Sequence, residues 1–216
     1  YGIVLMINEQ KSNGIVEPFG LPFGRLPKNI SIFPLSGALL LPHGRMPLNI
    51  FEDRYVKMIM DSLCESRLIG MVQPNEEIRD PITNEATLFH IGCIGRIISF
   101  SELDDGQIFI TLQGVARFKI LKELENYTPY RTISADYTDF EDDYDPYKAV
   151  KGRVALTNVL ENYLEEKKVG LEWKELEKTK DRRLVASIGM MLPFGNTEKQ
   201  AVLESNNFDQ MVDIIN

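Results

Sequence analysis

Apolar and polar positions change their period once along this chain, near residue 140. Ahead of that point the apolar residues come in short runs, Ile32–Leu35, Ala38–Leu41, Met46–Ile50, Leu68–Val72 and Ile91–Phe100, separated by Ser36-Gly37, Pro42-His43-Gly44 and Gln73-Pro74. Ile108, Ile110 and Leu112 alternate with Phe109, Thr111 and Gln113, the period of a strand, and Asp104-Asp105-Gly106 supplies the turn of a hairpin with Ile91–Phe100. Gly114 interrupts this strand pattern before Val115–Ile120, which predicts a bulge or corner, and Arg131–Tyr137 reads as a further strand. Pro34, Pro42 and Pro47 cannot donate to a central ladder, so the early strands are expected to be short, bulged or at an edge. One helix breaks the series: Tyr55, Met58, Ile59 and Leu63 share a face at a 3.6-residue period.

Beyond the change the period is helical. Leu156, Val159, Leu160, Tyr163 and Leu164 form one stripe, Leu184, Val185, Ile188, Met191 and Leu192 a second, and Phe208, Met211, Val212 and Ile215 a third. Thr197-Glu198-Lys199-Gln200, after Leu192-Pro193, reads as the capping box of another helix. The expected architecture is α+β: a lead-in arm over 1–28 with a possible strand at Ile3–Ile7, a β-barrel over 29–138, an acidic linker over 139–146 and a helical bundle over 147–216. The linker is inferred from Asp136, Asp139, Glu141, Asp142, Asp143 and Asp145, which read as a solvated, exposed boundary.

With 44% apolar and 26% charged residues, the composition is that of a folded globular chain rather than a disordered one. There are 32 acidic against 24 basic residues, a formal net charge of −8, which disfavours phosphate backbones and anionic membranes as partners. No apolar run approaches the roughly 18 to 20 residues of a membrane span, and the expected location is the cytoplasm. The two cysteines, Cys64 and Cys93, are expected to be reduced and buried.

Candidate chemistry is sparse. There is no Walker phosphate loop, no G-x-S-x-G elbow, no H-E-x-x-H and no dinucleotide fingerprint. His43, His90, Cys64 and Cys93 share no zinc-ligand spacing, so neither metal nor cofactor is expected, and no catalytic residue is assigned. Phe51-Glu52-Asp53-Arg54-Tyr55 is denser: it joins a strand end to a helix start, as a structural joint or a binding surface.

These residues also carry a resemblance. Ile50-Phe51-Glu52-Asp53-Arg54-Tyr55 resembles the I-F-E-x-R-Y block of Lon-protease N-terminal domains, especially the stand-alone bacterial branch. Phe33-Pro34-Leu35, Leu39-Leu40-Leu41-Pro42 and Pro47-Leu48 resemble that family's opening strands. Asp105-Gly106, Thr111-Leu112, Gly114 and Arg117-Phe118 resemble its D-G-R…T-L-x-G-x-x-R-F block, with Gln107 where the family often has Arg. Leu192-Pro193 and Glu198-Lys199-Gln200 with Leu203-Glu204 resemble its L-P…E-K-Q-x-L-L-E block, with Val202 in place of the first Leu.

The resemblance implies a PUA-like β pseudo-barrel followed by a helical bundle, and a non-catalytic role in recognising unfolded or partner proteins. The ATPase and Ser–Lys protease modules that follow this domain in full-length Lon do not fit in the remaining chain, so a separate ATPase or protease is one expected partner. Phe33, Leu35, Leu48, Phe51, Glu52, Arg54, Tyr55, Arg117 and Phe118 are the family-matching positions expected to contact substrate, through an apolar groove or a sheet edge. The alternative is an RNA-binding PUA-like module using Arg96, Arg117, Phe118 and Lys119, which the net charge disfavours.

Overall fold

The computed structural model describes residues 25–75, 85–104, 106–125, 127–167 and 178–216, the side chains of 164–167 excepted. The expected arm and its strand at Ile3–Ile7 therefore fall almost wholly outside the described residues. Six strands, β1 (Asn29–Pro34), β2 (Arg45–Ile50), β3 (Leu68–Val72), β4 (Ile91–Glu102), β5 (Ile108–Leu124) and β6 (Thr132–Asp136), enclose one early helix in sequence, α1 (Asp53–Cys64). A 3-10 segment (Thr138–Tyr144) then leads to α2 (Arg153–Lys167), α3 (Asp181–Met191), α4 (Asn196–Glu204) and α5 (Phe208–Ile215). The architecture is α+β, with strands first and helices after.

The sheet order is β2-β5-β4-β3-β1-β6, and β6 pairs back onto β5. That last pairing closes β5, β4, β3, β1 and β6 into a ring. Among the described strands only β1 and β3 run parallel, at Ile32↔Gly70 to Pro34↔Val72. The 17-residue β5 is long enough to have two sets of neighbours. Its far part, Lys119 to Leu124, pairs with β6 and belongs to the ring. Its near part, Ile108 to Gln113, lies between β2 and the end of β4. These three stretches stand off the ring as a wing.

Alternation along the strands divides the core in two. Ile30, Ile32, Leu68, Val72, Ile94, Ala116, Phe118, Ile133 and Ala135 fill the ring interior. Phe118 occupies its middle: a Cβ built on Gly92 would come within 2.6 Å of the Phe118 ring, and one on Gly70 within 2.9 Å. The opposite faces of the same strands, with Ile69, Met71, Cys93, Ile97, Ile110 and Leu112, join a second cluster that includes Tyr55, Met58 and Ile59 of α1 and continues into the helices through Leu156, Leu184, Ile188, Met211 and Ile215. All five residues of β3 are buried because both of its faces are covered.

Several expectations are corrected. Ala38–Leu41 is not a strand, although Leu39, Leu40 and Leu41 are all buried. Prolines flank this run, and the Leu41 carbonyl presses so closely on Gly114 that a Cβ there would lie 2.0 Å from it. The run is an apolar plug between ring and helices. The bulge expected at Gly114 is present as a register shift between Ile94 and Gly95 on the facing strand. In α1 the fourth buried position is Ser62; Leu63 is half-buried. The cap of α4 is Gly195 rather than Thr197, with the Glu198 carboxylate accepting from the Gly195 amide at 2.7 Å. Both cysteines are free, but Cys64 is exposed, because the last residue of α1 lies off its buried stripe.

The largest correction concerns the acidic window. Asp143 is 0% exposed and lies against Arg117, which is 1% exposed. Arg117 donates from Nε and its backbone amide to Asp143 Oδ2, both at 2.9 Å, and from Nη2 to Oδ1 at 2.7 Å. Its Nη1 donates to the carbonyls of Leu203, at 3.2 Å, and Ser205. One side chain of β5 thus fastens the 3-10 segment and the α4–α5 junction. Arg182 of α3 does the same for the neighbouring residue, donating to Asp142 Oδ2 at 2.8 Å and stacking on Phe208 at 4.4 Å. Asp143 is buried with Phe140 because residues three apart share one side of a 3-10 turn.

Candidate functional site

The wing concentrates exposed aromatic side chains. Its strands turn Met46, Leu48 and Ile50 toward the same face as Leu112, Ile110 and Ile108, their direct partners, and this face packs on the core. Phe109 points the other way, between Asn49 and Ser101, and is 41% exposed. Phe100, the direct partner of Ile110 and so on the face opposite to Phe109, is 54% exposed. Phe51 follows the last residue of β2 and is 66% exposed. Leu103, also exposed, begins the loop joining β4 to β5, closed by its amide donating to the Gln107 carbonyl at 2.9 Å. Three neighbouring strands span roughly 10 Å, so these side chains gather at one end of the wing, with Phe100 and Phe109 on its two faces.

Two features define the wing's rim. The first is the outer edge of β2, which among the described residues pairs only with β5. Pro47 lies in its middle, opposite Thr111. A proline fits a ladder only where its nitrogen faces away from the partner, so the outer edge lacks a donor at its centre. The Asn49 amide donates to Gln107 Oε1 and clasps β2 to β5 at the tip. The second feature is charge. Glu102 and Asp104 are exposed at the end of β4, and Asp53 is exposed in the first turn of α1. Glu52 is half-buried and ion-paired to Arg54 at 2.8 Å.

The expected site residues divide into two groups. Phe51, Glu52, Arg54 and Tyr55 meet at the start of α1: Arg54 lies over the Tyr55 ring at 4.5 Å, and Tyr55 packs on Phe33 with centroids 4.3 Å apart. Phe33 and Tyr55 are buried, Leu35 and Leu48 half-buried, so of the apolar members only Phe51 is largely open to a ligand. Arg117 and Phe118 are elsewhere and inside, one holding Asp143, the other filling the ring. Neither reaches solvent, so the basic surface patch expected from Arg96, Arg117, Phe118 and Lys119 does not form. Sequence reasoning missed Phe100 and Phe109. The signal was present: Ile97-Ile98 with Phe100, and Ile108-Phe109-Ile110, place apolar residues on both faces of an antiparallel hairpin, where one face is usually polar.

The titratable groups inside the fold have structural surroundings. Cys93 is buried and burial pushes its thiol up, away from the reactive thiolate. His43 sits at φ 67° between Pro42 and Gly44, with its Nε2 buried and unpartnered. Burial, then the Arg182 charge, lowers its pKa to about 4. Among the described residues no group of three or more His, Cys, Asp or Glu could hold a metal ion, and no helix is long and apolar enough to cross a membrane.

A family model for the ATP-dependent protease La (LON) substrate-binding domain matches residues 29–216, starting at the first residue of β1. A Lon protease of Flavobacterium johnsoniae is 34% identical over 110 residues, covering 50% of this chain and 13% of that protein. A Lon protease of Buchnera aphidicola subsp. Baizongia pistaciae is 28% identical over 188 residues, covering 85% of this chain and 24% of that protein. The chain thus spans a quarter or less of the length of these relatives. Two solved structures share the fold. One is a Lon N-terminal domain protein from Xanthomonas campestris, with TM-score 0.59 and 18% identity over 86% of this chain and 95% of that one. The other is the N-terminal domain of Mycobacterium avium complex Lon protease, with TM-score 0.63 and 15% identity over 87% and 96%.

Proposed function

The chain belongs to the ATP-dependent protease La (LON) substrate-binding domain family, and from that premise we propose that it is a non-catalytic module that holds segments of unfolded or partner proteins on its aromatic wing. The observation that carries this reading is the grouping of Phe51, Phe100 and Phe109, all substantially exposed, at the tip of three paired strands. Exposed apolar groups on a rigid support mark interaction sites, because burying them against a partner removes apolar area from water without ordering the support. Aromatic anchors supply much of the binding energy at such surfaces. Pro47 supports recognition through side chains over addition of a strand to β2, since the outer edge lacks a donor at its centre.

The match to relatives covers their substrate-binding part, which supports binding without catalysis by these residues. The net charge of −8 and the burial of Arg117 and Phe118 weigh against nucleic acid. The test is fluorescence anisotropy of a labelled unfolded polypeptide titrated with the protein at low and high salt, beside labelled single-stranded RNA. Saturable polypeptide binding, weakened roughly tenfold or more by Phe100→Ser combined with Phe109→Ser, is the expected result. Salt-steep RNA binding with no polypeptide binding would overturn it.

A further inference from the structure

Taking the wing as the docking surface, an assumption this inference rests on, we infer that the segments it holds are cationic as well as apolar: extended stretches in which Lys or Arg lies within a few residues of an aromatic or aliphatic anchor. The argument is charge complementarity around the exposed phenylalanines. Three exposed carboxylates stand at the tip besides the paired Glu52: Asp53 two residues after Phe51, and Glu102 and Asp104 on either side of Leu103. Ile50 and Glu102 are both partners of Ile108, so the two acidic corners flank the same position of β5.

Among the described residues, the neighbouring cations are engaged or distant. Arg54 is engaged by Glu52 at 2.8 Å and lies over Tyr55. Arg45 begins β2 at its other end, opposite Gln113. Five residues of extended chain separate it from Ile50, roughly 17 Å at strand rise and well beyond a Debye length of about 8 Å at physiological salt. Lys57 points its amine to Asp61 at 2.5 Å, farther along α1. A ligand seated on the phenylalanines therefore meets Asp53 at one corner and Glu102 with Asp104 at the other, none of them in an ion pair among the described residues. A Lys or Arg flanking its anchor places charge within a Debye length of them, and an Asp or Glu there is repelled. The same charges oppose a second copy of the chain, whose own tip is equally acidic.

The experiment uses the whole protein and three labelled peptides with identical aromatic anchors, the intervening positions being Lys, Gln or Glu. Binding is read by anisotropy at low and high salt, for the parent, for Glu102→Gln combined with Asp104→Asn, and for Phe100→Ser combined with Phe109→Ser. The expected order is Lys tighter than Gln tighter than Glu. The Lys peptide should weaken about three- to tenfold in the charge variant, and the Gln peptide less than about twofold, as partly screened surface charges dictate. Both should weaken in the phenylalanine variant, with folding verified by circular dichroism.

Equal affinity for the three peptides, all lost with the phenylalanines, would overturn the charge preference and leave the wing as the docking surface. Binding indifferent to the phenylalanines, or no binding at all, would overturn both. A dimer seen by sedimentation and abolished by the phenylalanine variant would assign the face to a second copy and overturn the inference as well.

Discussion

The two halves of β5 make opposite use of the same alternation. In the near half, Ile108 and Ile110 face the core while Phe109 faces water. In the far half, Ala116, Arg117 and Phe118 are all buried, because the ring closes over one face and the 3-10 segment and helices cover the other. The far half contains the family-matching residues Arg117 and Phe118, and these hold the fold together. The near half contributes Thr111-Leu112 to the same block, but its exposed Phe109 lies outside the motif. A strong motif in this chain marks what must be packed, and the exposed aromatic tip is found by asking which apolar residues the packing leaves uncovered.

The sharpest way to break this contrast is at Asp143. Asp143→Ala leaves the Arg117 guanidinium buried without its carboxylate, and removing one partner of a buried pair costs about 3 to 5 kcal/mol. Chemical denaturation should show a midpoint shift of that size. Replacing both partners, Arg117→Met with Asp143→Leu, should recover part of the loss, and a double-mutant cycle measures the coupling. If Asp143→Ala were nearly neutral, the junction would not be the centre of stability.

A smaller effect separates the junction from the wing by pH. His43 is neutral in the fold, its pKa lowered to about 4 by burial and then by Arg182, whereas the unfolded chain binds the proton from about 6.5. The unfolded state therefore holds more protons across that window, so stability should fall as pH drops from about 6.5 to about 4, by up to about 3 kcal/mol. His43→Asn, which tolerates the positive φ, should flatten the slope in denaturation curves measured across this range. Asp142 adds an acid loss at lower pH: burial opposes its ionisation, but Lys148 and Arg182 outweigh burial and hold its pKa below the ordinary carboxylate value. A His43→Asn protein with an unchanged slope above pH 4 would remove His43 from the account.

The smallest stability change is expected on the wing itself. Phe109→Ser removes a side chain that is already substantially exposed, so the denaturation midpoint should move by no more than about 0.5 kcal/mol. The same substitution is expected to weaken polypeptide binding. A large loss of stability would mean that Phe109 is packing and not surface.

Much of the fold was legible because it rests on local periods. The stripe Phe208, Met211, Val212 and Ile215 is buried as a 3.6-residue face, and Ile108, Ile110 and Leu112 are buried as a period-2 face. The start of α1 was legible in part: Phe51, Glu52, Arg54 and Tyr55 do meet there, although Tyr55 is turned inward. Ala38–Leu41 was misread because an apolar run specifies burial but not backbone pairing, and here Pro34 and Pro42 with the close approach at Gly114 decide against a strand. The acidic window was misread because composition assigns all its carboxylates to water, while a single buried Arg117 draws Asp143 inside.

Alternation, helical stripes, turn residues and net charge are properties of neighbours along the chain, and so the sequence by itself determined the strand-then-helix order, the hairpin, the acidic balance and the family. Which carboxylate is buried, which phenylalanine fills the ring and which faces water depend on residues distant in the chain arriving at the same place. Closure of β6 onto β5 encloses Phe118, packing of α4 and α5 encloses Arg117, and at the end of the wing nothing among the described residues covers Phe100 or, on the other face, Phe109. Those outcomes belong to the tertiary structure because burial is a property of the assembled surface, and no local pattern contains it.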